Sequence, residues 1–224
     1  MDIYQPEIID YLIFWEDIDN NYFSDNLISL INKKLNGKKN IFLYLSLSSD
    51  RMLHANIIYI DLRNKTIERF DPYGNITMGN SEENVDLFLK KKFAPIDNFE
   101  YIGAKYMGIS SFQTLSREDD IHKKKYGDIG GFCLAWCMWY IELRLKNYKV
   151  NPKELVEKTI KKIIKNKINF TDFIRNYANN LNTYLRKFLK KAGIKEKHLY
   201  NEFYTKQEYS NIKKLIYNEF KKIK

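Results

Sequence analysis

Apolar residues near the start of the chain recur at helical spacing. One group lies around Trp15 and a second runs from Leu27 to Ile31, and residues three and four positions apart share one face of a helix. The pattern therefore predicts two helices before Gly37. It then changes, because leucine alternates with aromatic and polar side chains from Ile41 to Ser49, which is the two-residue period of a strand.

A β-hairpin is predicted directly after this first strand. Strand-like sequence runs over 52–62 and 66–70, and the polar residues 63–65 form a turn between them. The second strand ends at Asp71, the first residue of an Asp-Pro-Tyr-Gly turn. Antiparallel pairing around the turn at 63–65 places the start of the first strand beside the end of the second.

The remainder of the chain is predicted to be mostly helical. A helix is expected over 81–93 and a short strand over 99–106, and the charged, apolar-poor stretch 116–126 is expected to be an exposed loop. A helix over 132–147 follows. Beyond Asn151, apolar residues at helical spacing continue through a lysine-rich segment to Gly193.

Together these elements predict an α+β fold in which a central, mainly antiparallel sheet packs on the helix over 132–147. We expect a core over residues 1–150 and a basic helical extension over 151–224. The chain has 224 residues, of which 44% are hydrophobic and 15% aromatic, and this composition is sufficient to fill a core of that size.

The composition also limits the class of protein. Apolar runs stay below the ~20 residues that a membrane-spanning helix needs, and the N-terminus lacks the basic-then-apolar layout of a signal peptide. We therefore expect an intracellular protein with no membrane span. The net charge of +10 is concentrated on the C-terminal helices, where a solvated face explains it; nucleic acid stays open as an accessory partner.

The cysteines and histidines indicate neither a metal site nor a disulfide. Cys133 and Cys137 lie four residues apart on one predicted helix, so their Cβ atoms point along the same face and a strain-free disulfide is not expected. The three histidines are scattered and stand at no ligand spacing from the cysteines. We predict no metal and no cofactor.

Cys133 is the strongest candidate for chemistry. It follows a glycine-rich turn, residues 127–131, at the start of the helix, where unpaired N–H groups and a partial positive charge lower the pKa of a thiol. Cys137 lies one turn further in, where this field is weaker and burial is expected. A single cysteine is otherwise explained as a small core residue, so the prediction depends on partners.

Two partners come from the hairpin. His54 lies near the start of its first strand and Asp71 at the end of its second, so antiparallel pairing makes them neighbours at one edge of the sheet. Asp71 would accept the Nδ1–H of His54 and stabilise an imidazolium paired with the thiolate. His54 is then the candidate base and Asp71 the carboxylate that orients it.

The hairpin from His54 to Asp71 resembles that of the ubiquitin-like-protein-specific cysteine proteases. The chain order His, Asp, Gln, Cys is also that of this clan, which includes adenovirus-type and African-swine-fever-type maturation proteases. The segment Gly-Gly-Phe-Cys-Leu-Ala-Trp-Cys-Met-Trp-Tyr, over 130–140, resembles the active-site helix of thiol proteases in large DNA viruses. The resemblance covers roughly residues 40–150 and implies a cysteine-protease fold.

One element departs from the family pattern. The glutamine that donates to the oxyanion usually stands about six residues before the cysteine, where this chain has Gly127 and Asp128. Gln113 follows the preceding strand, with 116–126 as an insertion between it and Cys133. We favour Gln113, because an amide N–H donates to an oxyanion whereas an ionised Asp128 would repel it; Asp128 would instead cap the helix.

The resemblance implies a cysteine endopeptidase that cleaves protein substrates after Gly-Gly or Gly-X-Gly sequences. We expect it to process viral structural polyproteins, in the virion or the host cytoplasm. One alternative is a deubiquitinase or deSUMOylase that removes ubiquitin-like modifiers, which uses the same chemistry. A second alternative, from a different class, is a non-catalytic binding module with a degenerate protease fold and a basic tail.

Overall fold

The protein has an α+β fold, seen here in a computed structural model. The structure describes residues 3–4, 13–35, 40–49, 52–74, 82–107, 111–116, 132–195 and 204–221. The strands are β1 (Ile3–Tyr4), β2 (Ile13–Trp15), β3 (Asn21–Phe23), β4 (Asn40–Ser49), β5 (Met52–Asp61), β6 (Thr66–Phe70), β7 (Glu100–Ile102) and β8 (Tyr204–Thr205). The helices are α1 (Leu27–Leu35), α2 (Glu82–Phe93), α3 (112–116), α4 (Cys133–Lys146), α5 (Pro152–Lys165), α6 (Phe170–Lys191) and α7 (Lys206–Lys221), with a 3₁₀ turn at Ala104–Met107.

Six strands form the central sheet in the order β3-β2-β4-β5-β6-β7. The β4–β5 and β5–β6 pairs are antiparallel, as the hairpin pattern predicts, while β2–β4 and β6–β7 are parallel. Pairing between β5 and β6 runs from Asp61 opposite Thr66 to Ile57 opposite Phe70. The first residues of β5 therefore extend beyond the last residue of β6, and this open end of the hairpin holds the candidate site.

Helices cover both faces of the sheet, and side-chain alternation decides which strand residues meet which helices. Ile58 and Ile60 of β5 belong to an apolar core with residues of α1 and α2. On the opposite face, Tyr59 lies against Arg144 of α4, and Ala55 contacts Cys137. The helix that begins at Cys133 thus packs directly on β5, as the sequence predicts.

The first predicted helix is wrong where the structure describes it. Residues Ile13–Trp15 form a strand that pairs in parallel with β4, and both Ile13 and Trp15 are buried in the core. Buried residues at i and i+2 share one face of a strand but not of a helix, so these residues fit a strand. The strand expected over 99–106 is also shorter, since β7 ends at Ile102 and the 3₁₀ turn follows.

The C-terminal segment is helical, as its apolar spacing predicts. Asn151 caps α5 by accepting from two backbone N–H groups, and α6 ends before Gly193, which has a positive φ of 79°. Contacts divide the chain into two compact units, residues 10–175 and residues 1–9 with 176–224. Compactness does not test where a folding domain ends, so the domain boundary near residue 150 stays a prediction.

Within the smaller unit, β1 and β8 form an antiparallel pair. A small apolar cluster joins the end of α6 to α7, with Leu189 and Ile194 buried and Ile212 and Leu215 packed on them. Within the described part of the chain, no helix is both long and apolar enough to cross a membrane.

Candidate active site

His54 and Asp71 lie side by side at the open end of the hairpin. The Nε2 atom of His54 is 2.7 Å from Oδ1 of Asp71, and both side chains are buried. Pairing of β5 with β6 produces this proximity, because the residue after Phe70 falls opposite the start of β5. The contact uses Nε2 rather than the expected Nδ1.

Three donors fix the Asp71 carboxylate. The backbone N–H of Tyr73 donates to Oδ1 at 2.8 Å, and the amide of Asn56 donates to Oδ2 at 3.0 Å. Burial raises the pKa of Asp71, but the His54 charge and hydrogen bond, with Arg69, outweigh it and hold the pKa below its usual value. Asp71 is therefore ionised and accepts the Nε2–H of His54.

Cys133 is the first residue of α4 and lies against His54. It is buried, with 8% of its surface exposed. Burial opposes ionisation, yet hydrogen bonds from His54 and from the backbone N–H of Ala55, the His54 charge, and the N–H of Leu134 lower the pKa of the thiol. The helix N-terminus supplies a partial positive charge at the same place.

The charge state of His54 complements that of Cys133. Burial alone would lower the pKa of His54, but Asp71 and then Cys133 raise it from 6.5 to about 10. A raised histidine pKa beside a lowered cysteine pKa is the electrostatic pattern of a thiolate–imidazolium pair. Below about pH 10 the histidine then carries a proton that it can give to a leaving group.

Cys137 differs from Cys133 in each of these respects. It is fully buried, and burial followed by the charges of Asp71 and Cys133 raises the pKa of its thiol well above the usual value. Its sulfur donates instead to the carbonyl oxygen of Ala55 at 3.4 Å. Cys133 thus accepts from the backbone N–H of Ala55, whereas Cys137 donates to its carbonyl oxygen. Cys137 is a packing residue.

Gln113 lies on α3, which is tied to the segment following Asp71. The N–H of Gln113 donates to the carbonyl of Pro72 at 3.0 Å, and the Thr114 hydroxyl donates to the carbonyl of Tyr73 at 3.1 Å. Phe112, the residue before Gln113, stacks on Trp136 of α4 at 5.2 Å between ring centroids. The turn bearing Gln113 therefore contacts both the Asp71 segment and the cysteine helix.

The Gln113 side chain itself is buried, and its Oε1 has no hydrogen-bond partner within the described residues. A buried amide atom left unpaired is costly, by about 1–3 kcal/mol, so such a group is generally kept for a reason other than stability. Asp128, the competing candidate, lies outside the described residues, as does the glycine-rich turn over 127–131. The choice of Gln113 as oxyanion donor stays a prediction.

Trp136 belongs to the core. It is fully buried in an aromatic cluster with Phe112, Trp139 and Phe173, at centroid distances between 5.2 and 5.8 Å. Tyr73 is half-buried, and its ring lies 5.0 Å from that of His54. Tyr73 therefore lies beside the candidate base, whereas Trp136 packs in the core.

Sequence reasoning missed the polar residues behind Asp71. Asn56 and Arg69 are fully buried in the hairpin, and Arg69 extends to Asp86 of α2. The signal was present, because Glu68 and Arg69 are adjacent charged residues between the apolar Ile67 and Phe70 of one strand, and a buried charge needs a partner. Within the described ranges, no group of three or more potential ligands is arranged to hold a metal ion.

Comparisons with known proteins add one relative and two structures. The chain is 32% identical over 140 residues to a putative ankyrin repeat protein of Acanthamoeba polyphaga mimivirus, which covers 57% of this chain and 18% of that protein. The chain thus spans less than a fifth of the length of this relative. No family model matches the sequence.

Two crystal structures of the Legionella pneumophila effector protein RavZ are similar over 42% and 41% of the chain, and over 33% and 32% of RavZ. Sequence identity is 15% in both, and the TM-scores are 0.27 and 0.25. A similarity this weak supports no statement about fold or activity.

Proposed function

We propose that this protein is a cysteine peptidase with Cys133 as nucleophile, His54 as acid and base, and Asp71 as the carboxylate that orients His54. One observation carries the proposal: Cys133, at the N-terminus of α4, is hydrogen-bonded to a histidine whose Nε2 lies 2.7 Å from a buried carboxylate. Nucleophile, base and orienting group are the three parts of an activated thiol.

In the acylation step, the Cys133 thiolate attacks the carbonyl carbon of the scissile bond and a C–S bond forms. The negative charge moves to the carbonyl oxygen, where the backbone N–H of Cys133 and the amide of Gln113 stabilise it. The His54 imidazolium gives its proton to the leaving nitrogen, and the C–N bond breaks. The products are a thioester on Cys133, a free amine and a neutral His54.

In the deacylation step, His54 takes a proton from water, and the resulting hydroxide attacks the thioester carbon. The C–S bond breaks, so a carboxylic acid leaves and the thiolate–imidazolium pair returns. Asp71 accepts from the Nε2 side of the ring throughout. It lowers the energy of the imidazolium without itself taking the proton.

The proposed substrates are proteins with glycine before the scissile bond, in Gly-Gly or Gly-X-Gly sequences, as the resemblance to the ubiquitin-like-protein-specific proteases implies. Among these we favour viral structural polyproteins, as the resemblance of the Cys133 helix to that of thiol proteases in large DNA viruses implies. The description of the mimivirus relative does not mention proteolysis, and most of its length lies outside the match. Removal of a ubiquitin-like modifier is the alternative use of the same chemistry.

The proposal is tested by hydrolysis of a fluorogenic Gly-Gly peptide, compared with ubiquitin and SUMO carrying the same fluorophore at the C-terminus. We expect wild type and Cys137→Ala to hydrolyse the peptide and Cys133→Ala to be inactive. Turnover of the modifier substrates alone would favour deconjugation. No turnover of any substrate by folded wild-type protein would contradict the peptidase proposal and favour a binding module.

A further inference from the structure

A buried polar chain runs from Asp71 through the sheet to helix α2. The Asn56 amide donates to Asp71, the Arg69 guanidinium donates to Asn56 Oδ1 at 2.8 Å, and the Arg69 Nε donates to Asp86 at 2.8 Å. Tyr101 also donates its hydroxyl to Asp86 at 2.8 Å. We propose that Arg69 and Asp86 are positioning residues that fix the Asp71–His54 pair through the orientation of Asn56.

The groups around Asn56 differ in what they can donate and accept. A guanidinium can only donate and an ionised carboxylate can only accept. Asn56 lies between one of each, so its oxygen must face Arg69 and its nitrogen must face Asp71. Arg69 and Asp71 therefore favour the same orientation of the Asn56 amide, and Arg69 holds the amide where it donates to Oδ2 of Asp71.

Burial makes the arrangement hard to replace. Asn56 and Arg69 are both fully buried, so bulk water cannot take over a lost hydrogen bond. If Arg69 were shortened, the Asn56 oxygen would be left buried without its donor, and the amide would no longer be fixed in the position from which it donates to Asp71. The carboxylate would then lose one of the donors that hold it against Nε2 of His54.

Asp86 fixes the far end of the chain. Its Oδ1 accepts from both Arg69 and Tyr101, and a Cβ placed on Gly103 would overlap its carboxylate. Because Gly103 has no side chain, the Asp86 carboxylate can occupy this space. Asp86 also balances the charge of Arg69, whose Nη1 is 3.7 Å from Oδ2 of Asp71, so the guanidinium lies beside Asp71.

This inference rests on the proposed function, because Arg69 and Asp86 would act on Cys133 through the Asp71–His54 pair. The test therefore uses a readout that needs no peptide substrate, the rate at which iodoacetamide alkylates Cys133 at neutral pH. A second readout is the low-field proton resonance of the His54 ring N–H that bonds to Asp71. Failure to cleave peptides would contradict the proposed function while leaving both of these measurements able to test the positioning roles.

The test variant is Arg69→Lys, because lysine cannot donate to Asn56 and Asp86 with the fixed fork of a guanidinium. The matched control is Arg144→Lys, which weakens the buried pair of Arg144 with Glu68 and does not touch Asp71. Asp86→Asn is the second variant, and it conserves the shape of the side chain and an oxygen that accepts from Arg69 Nε.

We expect Arg69→Lys to lower the alkylation rate of Cys133 by roughly 10-fold. This is the lower end of the loss seen when the hydrogen-bond partners of metal-binding histidines are mutated. The variant should also shift the proton resonance of the His54 ring. Asp86→Asn should change both readouts in the same sense but less. Arg144→Lys should leave both readouts at the wild-type value despite a comparable loss of thermal stability. Wild-type readouts in Arg69→Lys and Asp86→Asn, or equal losses in Arg144→Lys, would overturn the proposal.

Discussion

Replacing Asp71 with asparagine removes the charge that sustains the imidazolium while keeping the shape of the side chain. In the native protein Asp71 is the main group that raises the pKa of His54, from 6.5 to about 10, against the opposing effect of burial. An opposite charge at this range is worth about 1–3 pH units of a pKa, which corresponds to ~1.4–4 kcal/mol. We therefore expect Asp71→Asn to lower the pKa of His54 by about that much.

The direction of the effect follows from which form is stabilised. A carboxylate favours the charged imidazolium, so losing it lets His54 release its proton at lower pH and shortens the range over which it can protonate a leaving amine. Hydrolysis should fall most at alkaline pH, where the ring of the variant is already neutral, by up to the ~100-fold that a general acid–base group usually contributes. The alkaline limb of the rate profile should move to lower pH.

The assay is an NMR titration of the His54 ring in wild type and Asp71→Asn, with thermal unfolding to show that the variant is folded. The Tyr73 N–H can still donate to the oxygen of an asparagine at this position, so the local turn has a means to persist. An unchanged His54 titration in the folded variant would refute the reasoning, because it would mean that Asp71 does not govern the charge of the ring.

Three further predictions concern the core and its pH dependence. Cys137→Ala should lower the free energy of unfolding by about 1 kcal/mol and leave thiol labelling at Cys133 intact, as denaturant titration and mass spectrometry would show; loss of labelling would contradict this assignment. Arg144→Met should cost about 3–5 kcal/mol in the same titration, since it leaves Glu68 buried without its ion pair, and a cost below ~1 kcal/mol would disagree. The stability that protonated His54 contributes should be complete below pH 6.5 and lost as pH rises through about 10. The urea midpoint of the wild type should therefore fall over this range, and that of His54→Asn should fall less.

The sequence is sufficient to place the main elements of the site. Alternation in β5 and β6 and the short turn between them determine the hairpin register, and the register places His54 beside Asp71. Apolar spacing after the glycine-rich turn predicts α4 with Cys133 at its start. These are local patterns, in which each residue's partner is close in sequence or fixed by a single turn.

Features that depend on distant partners were not predictable in this way. The strand at Ile13–Trp15 exists because it pairs in parallel with β4, and three residues are too few to show a period. Which ring nitrogen of His54 meets Asp71 depends on the side-chain rotamer. The link from Arg69 to Asp86 depends on where α2 packs on the sheet, and hydrophobic spacing gives no information on that position.

The central claim is that Cys133 is an activated nucleophile. The most direct measurement is covalent labelling of the folded protein by a Gly-Gly peptide carrying a thiol-reactive electrophile, with the modified residue identified by mass spectrometry. We predict labelling at Cys133 near neutral pH, loss of labelling in Cys133→Ala and His54→Ala, and retention in Cys137→Ala. Absence of labelling in folded wild-type protein, or labelling that persists in His54→Ala, would contradict the account.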